Sequence, residues 1–278
     1  MEKSRTYRSA TLGLLLIGAM SVAFADSDSD SKGNNSCAGL PSYTDLKNAL
    51  AQAVSAETSG LNLQMWGTIV DRDGVVCAVA FSGTSRGAQW PGSRVISAQK
   101  ANTANAFSLD SSSNSNGSGK PAGLALSTAN LYSAVQPGGS LFGLQFSNPV
   151  DPNVAYKGPS THYGTGNDPL VGTKPGGVNV FGGGLALYAA GQKIIGAVGV
   201  SGDTSCADHN IGWRVRNLLG MDHLSGINGV SGDPARPDNI VFDIAPNANG
   251  GTGISAGGFG HPTCLNTSGS ATLPAVQP

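Results

Sequence analysis

Cysteine and histidine meet twice at metal-ligand spacing in this chain, as Cys206-Ala207-Asp208-His209 and as His261-Pro262-Thr263-Cys264. In a reducing compartment, thiolate and imidazole three residues apart suggest tetrahedral zinc. In an oxidising one the same cysteines pair instead, and a Cys206–Cys264 disulfide would hold its Cα atoms within about 7 Å. That bond draws His209 and His261 into one neighbourhood, beside Asp203 and Asp208. Two imidazoles with Asp208 could bind a transition metal or ligate haem iron. The other reading is that both histidines hydrogen-bond locally and order the C-terminal segment. Cys37 and Cys77 are left as a second pair, tying the N-terminal segment to the first hairpin. The alternative there is a buried free thiol at Cys77.

Trp213 and Arg216 lie four and seven residues beyond His209 and share its side of a helix. An aromatic ring, a cation and an imidazole on one exposed face suit a flat anionic ligand such as haem with its propionates. An oligomer interface or a plain solvent-facing surface fits the same pattern. His162 and Tyr163 sit between Pro159 and Pro169, where an exposed histidine is expected. His223 follows the Gly220 helix stop and is expected to bond locally. Catalytic patterns are missing: Gly199-Val200-Ser201-Gly202-Asp203 lacks the last glycine of a nucleophile elbow, and neither a phosphate loop nor H-E-x-x-H occurs.

Composition narrows the class. Of 278 residues 12% are charged, 41 are glycine and the net charge is −1. A basic face for nucleic acid is therefore not expected, and glycine without a three-residue period is not collagen. The first 25 residues read as an export signal: Lys3, Arg5 and Arg8, an apolar run from Thr11 to Phe24, then Ala23-Phe24-Ala25. The apolar run is short of the roughly 20 residues that span a bilayer. The expectation is an exported periplasmic or extracellular protein without membrane insertion, whose four cysteines form disulfides.

Hydrophobic periodicity places the elements. Residues 26–42 read as a flexible segment. A helix is expected over Tyr43–Glu57, capped by Thr44, with Leu46, Leu50 and Val54 as its stripe. Leu63–Val70 and Val75–Phe81 form a hairpin through Asp73-Gly74. Pro91–Phe107 reads as a second helix. Residues 108–180 form a loop-rich insert with a short helix over Leu124–Val135. Leu185–Ala190 and Lys193–Val200 form a second hairpin. Ser205 and Asp208 read as a capping box for a helix over Cys206–Leu219, whose Ala207, Ile211, Val215 and Leu218 are its buried stripe. A loop-rich extension over 221–278 carries one short strand at Ile240–Ile244. The whole is an α/β (α+β) sandwich, a mainly antiparallel sheet packed against helices.

Three stretches resemble the HbpS-like, GlcG-like haem-binding proteins. They are Val70-Asp71-Arg72-Asp73-Gly74, then Lys100-Ala101-Asn102-Thr103-Ala104 with Phe107, and Gly183-Gly184 with the strand Gly196–Gly202. Together they span residues 43–108 and 181–220. The resemblance implies a profilin-like fold in one domain over 43–220, homo-oligomers formed through sheet edges or helices, and association with haem or a related tetrapyrrole. It also implies an arginine beside a Gly-Ala pair at the cleft, here Arg86-Gly87-Ala88, able to grip a carboxylate. Lys100 is expected to act structurally, by packing and a local salt bridge. The chain departs from the family in its long insert, its C-terminal extension and a first helix without histidine. The expected function is binding of haem or another small ligand by Arg86, His209, Trp213 and His261. The alternatives are an enzyme of the same fold acting on a tetrapyrrole or small organic acid, and a non-catalytic oligomerising interaction module.

Overall fold

The computed structural model describes Met1 and residues 35–113, 122–248, 250–251 and 253–278. The expected export signal over 1–25 and the serine-rich tip of the insert fall outside the described residues, apart from Met1 and the first few residues of that tip.

Helix α1 (Tyr43–Ser55) starts one residue before the expected cap: Ser42 accepts from the Asp45 N–H, and the Asp45 carboxylate accepts from the Ser42 N–H. Thr44 lies inside the helix, because the box needs its acid three residues after the cap. Strands β1 (Trp66–Asp71) and β2 (Val76–Phe81) pair antiparallel. Their turn is held by Asp71, whose Oδ1 accepts from the N–H groups of Asp73 (2.9 Å) and Val75 (2.8 Å). Helix α2 (Ser93–Phe107) follows. The insert carries two one-turn helices, α3 (Leu144–Ser147) and α4 (Pro152–Ala155). Instead of one helix over 124–135 there are two 3-10 turns, Thr128–Leu131 and Ser133–Val135. Then come β3 (Gly184–Ala189), β4 (Lys193–Ser201) and α5 (Ser205–Leu218). In the extension β5 (Ile244–Ala245) pairs with β6 (Ile254–Ser255). The strand expected from Ile240 begins only at Ile244, because Ile240 is turned inward against Cys206.

The four long strands form one antiparallel sheet in the order β2-β1-β4-β3. Alternation along each strand sends its residues to two cores. Ile69, Val198 and Val200 meet Leu46 and Leu50 of α1 and Ile211 and Val215 of α5. Trp66, Val70 and Ala197 meet Ala98, Ala101 and Ala104 of α2 on the other face. The α2 layer lies unusually close. A Cβ built on Gly199 would fall 2.0 Å from the Ser97 carbonyl oxygen, and one on Gly184 would fall 2.4 Å from that of Lys100.

Both sheet edges are met by the chain itself. Residues Gly172 and Thr173 of the insert exchange hydrogen bonds with Val76 of β2, each 2.9 Å. Met221 and His223 of the extension do the same with Tyr188 of β3, at 2.8 and 3.2 Å. Edge pairing between copies, one of the two oligomer routes expected from sequence, is therefore partly blocked by the chain's own loops.

Candidate functional site

Helix α5 leaves the sheet at Gly202, and its N-terminus gathers most of the reactive side chains. Its cap is Thr204, whose hydroxyl accepts from the Ala207 N–H, so the expected Ser205–Asp208 box does not form. The reason is that both members have other partners. The Asp208 carboxylate accepts from the N–H groups of Gly202 (3.1 Å) and Asp203 (2.9 Å). It also accepts from the Lys100 ammonium at 2.7 Å, while Lys100 donates to the Val200 carbonyl at 3.0 Å. Lys100 and Asp208 are both shut from water. Burial pushes the Asp208 carboxyl up to about 6, against the opposing pull of Lys100, and lowers Lys100. Lys100 thus plays the structural part expected of it, through a salt bridge that crosses from α2 to α5. Asp203 accepts from the Leu61 and Leu63 N–H groups and holds the segment before β1.

Both disulfides form: Cys206–Cys264 with a Cα separation of 6.0 Å, and Cys37–Cys77 with 5.6 Å. The first fastens the extension to the opening turn of α5. Beside it, His261 Nε2 lies 2.7 Å from Ser205 Oγ, and Nδ1 lies 2.6 Å from the Pro262 carbonyl oxygen. A carbonyl can only accept, so Nδ1 carries the proton and Nε2 accepts from the Ser205 hydroxyl. The Tyr132 ring packs 4.9 Å from the imidazole. Burial lowers the His261 pKa.

The face of α5 that reads as exposed in the sequence is covered. His209, Trp213 and Arg216 are all at most 1% exposed. His209 Nε2 lies 3.0 Å from Asn239 Oδ1 and 3.2 Å from the Ile240 amide, and burial pushes its pKa down to about 4. Trp213 donates to the Pro274 carbonyl at 3.0 Å. Arg216 forms a two-pronged bond with Asp238, at 2.6 and 2.9 Å, its guanidinium 4.5 Å from the Trp213 ring centre. Asp238, Asn239, Ile240 and Pro274 all belong to the extension, while Arg216 also donates to the Ala186 carbonyl of β3 at 3.4 Å. The extension occupies the surface that sequence reasoning reserved for a ligand. Its partners are mostly backbone groups and a lone aspartate, which no periodicity advertises.

The expected metal set does not converge. The clusters of at least three ligand atoms lying within 4.8 Å of one another, among the described residues, do not include His209 or Asp208. Asp208 is held by Lys100 and two amides instead. Haem fits the α5 face no better: His261 has both ring nitrogens engaged, His209 is fully buried with its unpartnered Nδ1 shut from solvent, and Trp213 is sealed beneath the extension. Arg86 is exposed on the loop between β2 and α2. The arginine that organises this region is Arg94. Its guanidinium grips Asp168 with two bonds, donates to the Ala155 carbonyl at 2.8 Å and stacks 3.6 Å over the Tyr163 ring. It pins the insert to α2. His162 is exposed as expected, whereas His223, expected to bond locally at the helix end, instead bonds to the Pro278 carbonyl, 55 residues on, at 2.6 Å.

Sequence reasoning missed a cleft of about 640 Å³ between the insert and the extension. Tyr132 and Gln136–Ser140 line one side, and Ile244, Ile254 and Phe259 the other. Its size is that of a small-molecule site. A neighbouring hollow of about 260 Å³ shares Ile244 and is floored by His261. Neither half of the cleft carries a motif. The two halves lie more than 100 residues apart and meet only in the fold.

A four-stranded antiparallel sheet between helices on both faces, with a ligand-sized cleft built by added loops, defines an α+β sandwich of the profilin-like class. The chain belongs to the HbpS-like family: the family model described as "Haem degrading protein HbpS-like" matches residues 44–215. Solved structures that it resembles include the Klebsiella pneumoniae protein ORFY, at 24% identity over 63% of this chain and 87% of that one, with a TM-score of 0.38. Another is the PduOC:haem complex, at 20% identity over 63% and 89%, TM-score 0.40. A double mutant of Streptomyces reticuli HbpS matches at 16% identity over 64% and 83%, TM-score 0.38. No curated protein matches the chain.

Proposed function

We propose that this is an exported protein that binds haem, a related tetrapyrrole or another small ligand of that shape, and that it works as a homo-oligomer. The observation that carries the reading is the family match over residues 44–215. The cleft between Tyr132–Ser140 and Ile244–Phe259 is where the ligand is placed. It has the volume and the mixed aromatic and polar lining of a ligand site, whereas the α5 face is already filled. Ile254, 82% exposed at the cleft wall, is a side chain whose apolar surface a ligand would cover. Export is read from residues 1–25. Among the described residues no helix is long and apolar enough to cross a membrane.

The family description favours one second reading, in which the bound tetrapyrrole is degraded. The titratable groups at or beside the cleft include Tyr132, the Asp243 carboxylate, which accepts from Ser255 and Gly257 of its wall, and His261, which has both ring nitrogens engaged.

An absorbance titration of the purified mature protein with haemin tests both readings. The expected result is a sharp Soret band saturating at one haemin per chain, weakened in Ile254→Arg and retained in His209→Gln. No band above the non-specific background rejects the haem reading. Bleaching of the band with product release, under reductant and oxygen, would establish turnover. Light scattering reports the oligomer. An N-terminus at Asp26 in protein recovered from outside the cytoplasm would establish export.

A further inference from the structure

The Cys206–Cys264 disulfide sits in a ready-made ligand set. The sulfurs of Cys206 and Cys264 and a ring nitrogen of His261 all lie within 4.8 Å of one another. His261 Nδ1 is 4.0 Å from Cys206 Sγ. In a tetrahedral zinc site the metal–sulfur and metal–nitrogen distances, about 2.3 and 2.0 Å, place S and N about 3.5 Å apart. The imidazole is therefore within a few tenths of an ångström of its position in such a site. Cys206 lies in the first turn of α5, where the helix N-terminus favours thiolate over thiol. Cys264 is partly exposed, so a reductant can reach the bond.

We propose that this disulfide is the oxidised form of a site for a soft divalent metal, closed while the sulfurs are joined and opened when they are reduced. A dithiol reductant supplies the two electrons: the Cys206–Cys264 bond breaks, the reductant closes its own disulfide, and two thiols remain. Binding of Zn2+ to both thiols releases two protons. Nδ1 of His261 becomes the third ligand, which requires it to turn from the Pro262 carbonyl and its proton to move to Nε2. Ser205 is placed for that exchange. Its hydroxyl oxygen, 2.7 Å from Nε2, can accept the new N–H bond and hold the ring in the metal-binding tautomer. Three protein ligands leave the fourth position to water.

The other disulfide has a similar neighbour in Asp71, which lies within 4.8 Å of both Cys37 and Cys77 sulfurs. That set has three anions and a hard carboxylate in place of a neutral imidazole, a poorer match to a soft metal. The test must separate the two.

The full mature chain is reduced anaerobically, the reductant is removed, and the protein is titrated with Co2+ and then Zn2+. The expected result is one tightly bound Co2+ per reduced chain, with visible bands of tetrahedral cobalt and a thiolate charge-transfer band in the near ultraviolet. Zn2+ should displace it. The unreduced protein should show neither band. Cys37→Ser/Cys77→Ser should keep the signal. Cys206→Ser/Cys264→Ser should abolish it, and Ser205→Ala should weaken binding about tenfold. His261→Gln, which leaves both thiols in place, should shift the bands and weaken binding at least about tenfold. Bands that persist in Cys206→Ser/Cys264→Ser, that vanish in Cys37→Ser/Cys77→Ser, or that are unmoved by His261→Gln would overturn the proposal. So would reduced, folded protein that binds no cobalt.

Discussion

The Lys100 ammonium lies 2.7 Å from the Asp208 carboxylate in a place where neither side chain meets water. One residue comes from the helix on one face of the sheet and the other from a helix on the opposite face. Their contact passes round the glycine-rich end of β4, where Gly202 donates to the same carboxylate. The pair fixes how α5 leaves the sheet, and so fixes everything the extension packs against.

Removing one partner of a buried pair strands the other charge, at a cost of about 3–5 kcal/mol. Lys100→Met should therefore destabilise the protein by that order in urea unfolding. Lys100→Met/Asp208→Asn should cost clearly less than the sum of its single changes, because the amide oxygen of asparagine still accepts from Gly202 and Asp203. A loss below about 1 kcal/mol in Lys100→Met would mean that the pair does not hold α5.

The extension hangs on Arg216 and Asp238, both fully buried. Arg216→Met leaves Asp238 as an uncompensated buried anion. Limited proteolysis of this variant should cut within residues 225–260 much faster than in the parent chain, while amide exchange in β1 and β4 stays slow. Equal cutting rates would show that the Arg216–Asp238 pair is not what holds the extension.

His209 gives the protein an acid limit. Its folded pKa of about 4 lies below the ordinary 6.5, so the unfolded chain binds the proton first as pH falls. The His209 contribution to stability is complete above about pH 6.5 and declines as pH drops towards 4, by roughly 3 kcal/mol. Asp208, whose carboxyl is raised to about 6, works in the opposite direction over the same range, so the His209 contribution is read as the difference between the pH profiles of thermal midpoint for the parent and His209→Gln. His209→Gln should lose less stability on acidification than the parent, and His261 should contribute with the same sign as His209, since burial lowers its pKa too. An unchanged slope in His209→Gln would contradict the assignment.

Gly199 lets α2 lie on β4. An alanine methyl there would meet the Ser97 carbonyl, so the helix must move. Gly199→Ala should cost about 1–3 kcal/mol, the usual range for overpacking. Gly87→Ala, which has open space around it, is the control. Comparable effects from the two changes would rule out close packing as the cause.

Much of this structure is legible in local pattern. The apolar spacing of Leu46 and Leu50 marks α1, Asp73-Gly74 marks the first hairpin, and the continuous apolar run of β4 marks a strand covered on both faces. The mirrored Cys–His spacings point to the Cys206–Cys264 pair and leave Cys37 and Cys77 as the other, and both bonds form. Element ends shift by a residue or two where side chains have better partners, as at Ser42 and Thr204. The candidate site was less legible. His209, Trp213 and Arg216 share one side of α5 as their spacing requires, but helical spacing cannot tell whether that side faces water or another part of the chain.

The sequence by itself determined the order of helices and strands and the sandwich class, because each depends on periodicity or turn chemistry, while four cysteines left three possible pairings open. Only the tertiary structure decided that the extension buries the α5 face, that Asp208 answers Lys100 instead of capping its own helix, and that Tyr132 and Ile254 wall a common cleft. Those outcomes depend on contacts between residues 22 to more than 100 positions apart. They are made largely by backbone carbonyls and single charges, whose partners no local pattern names.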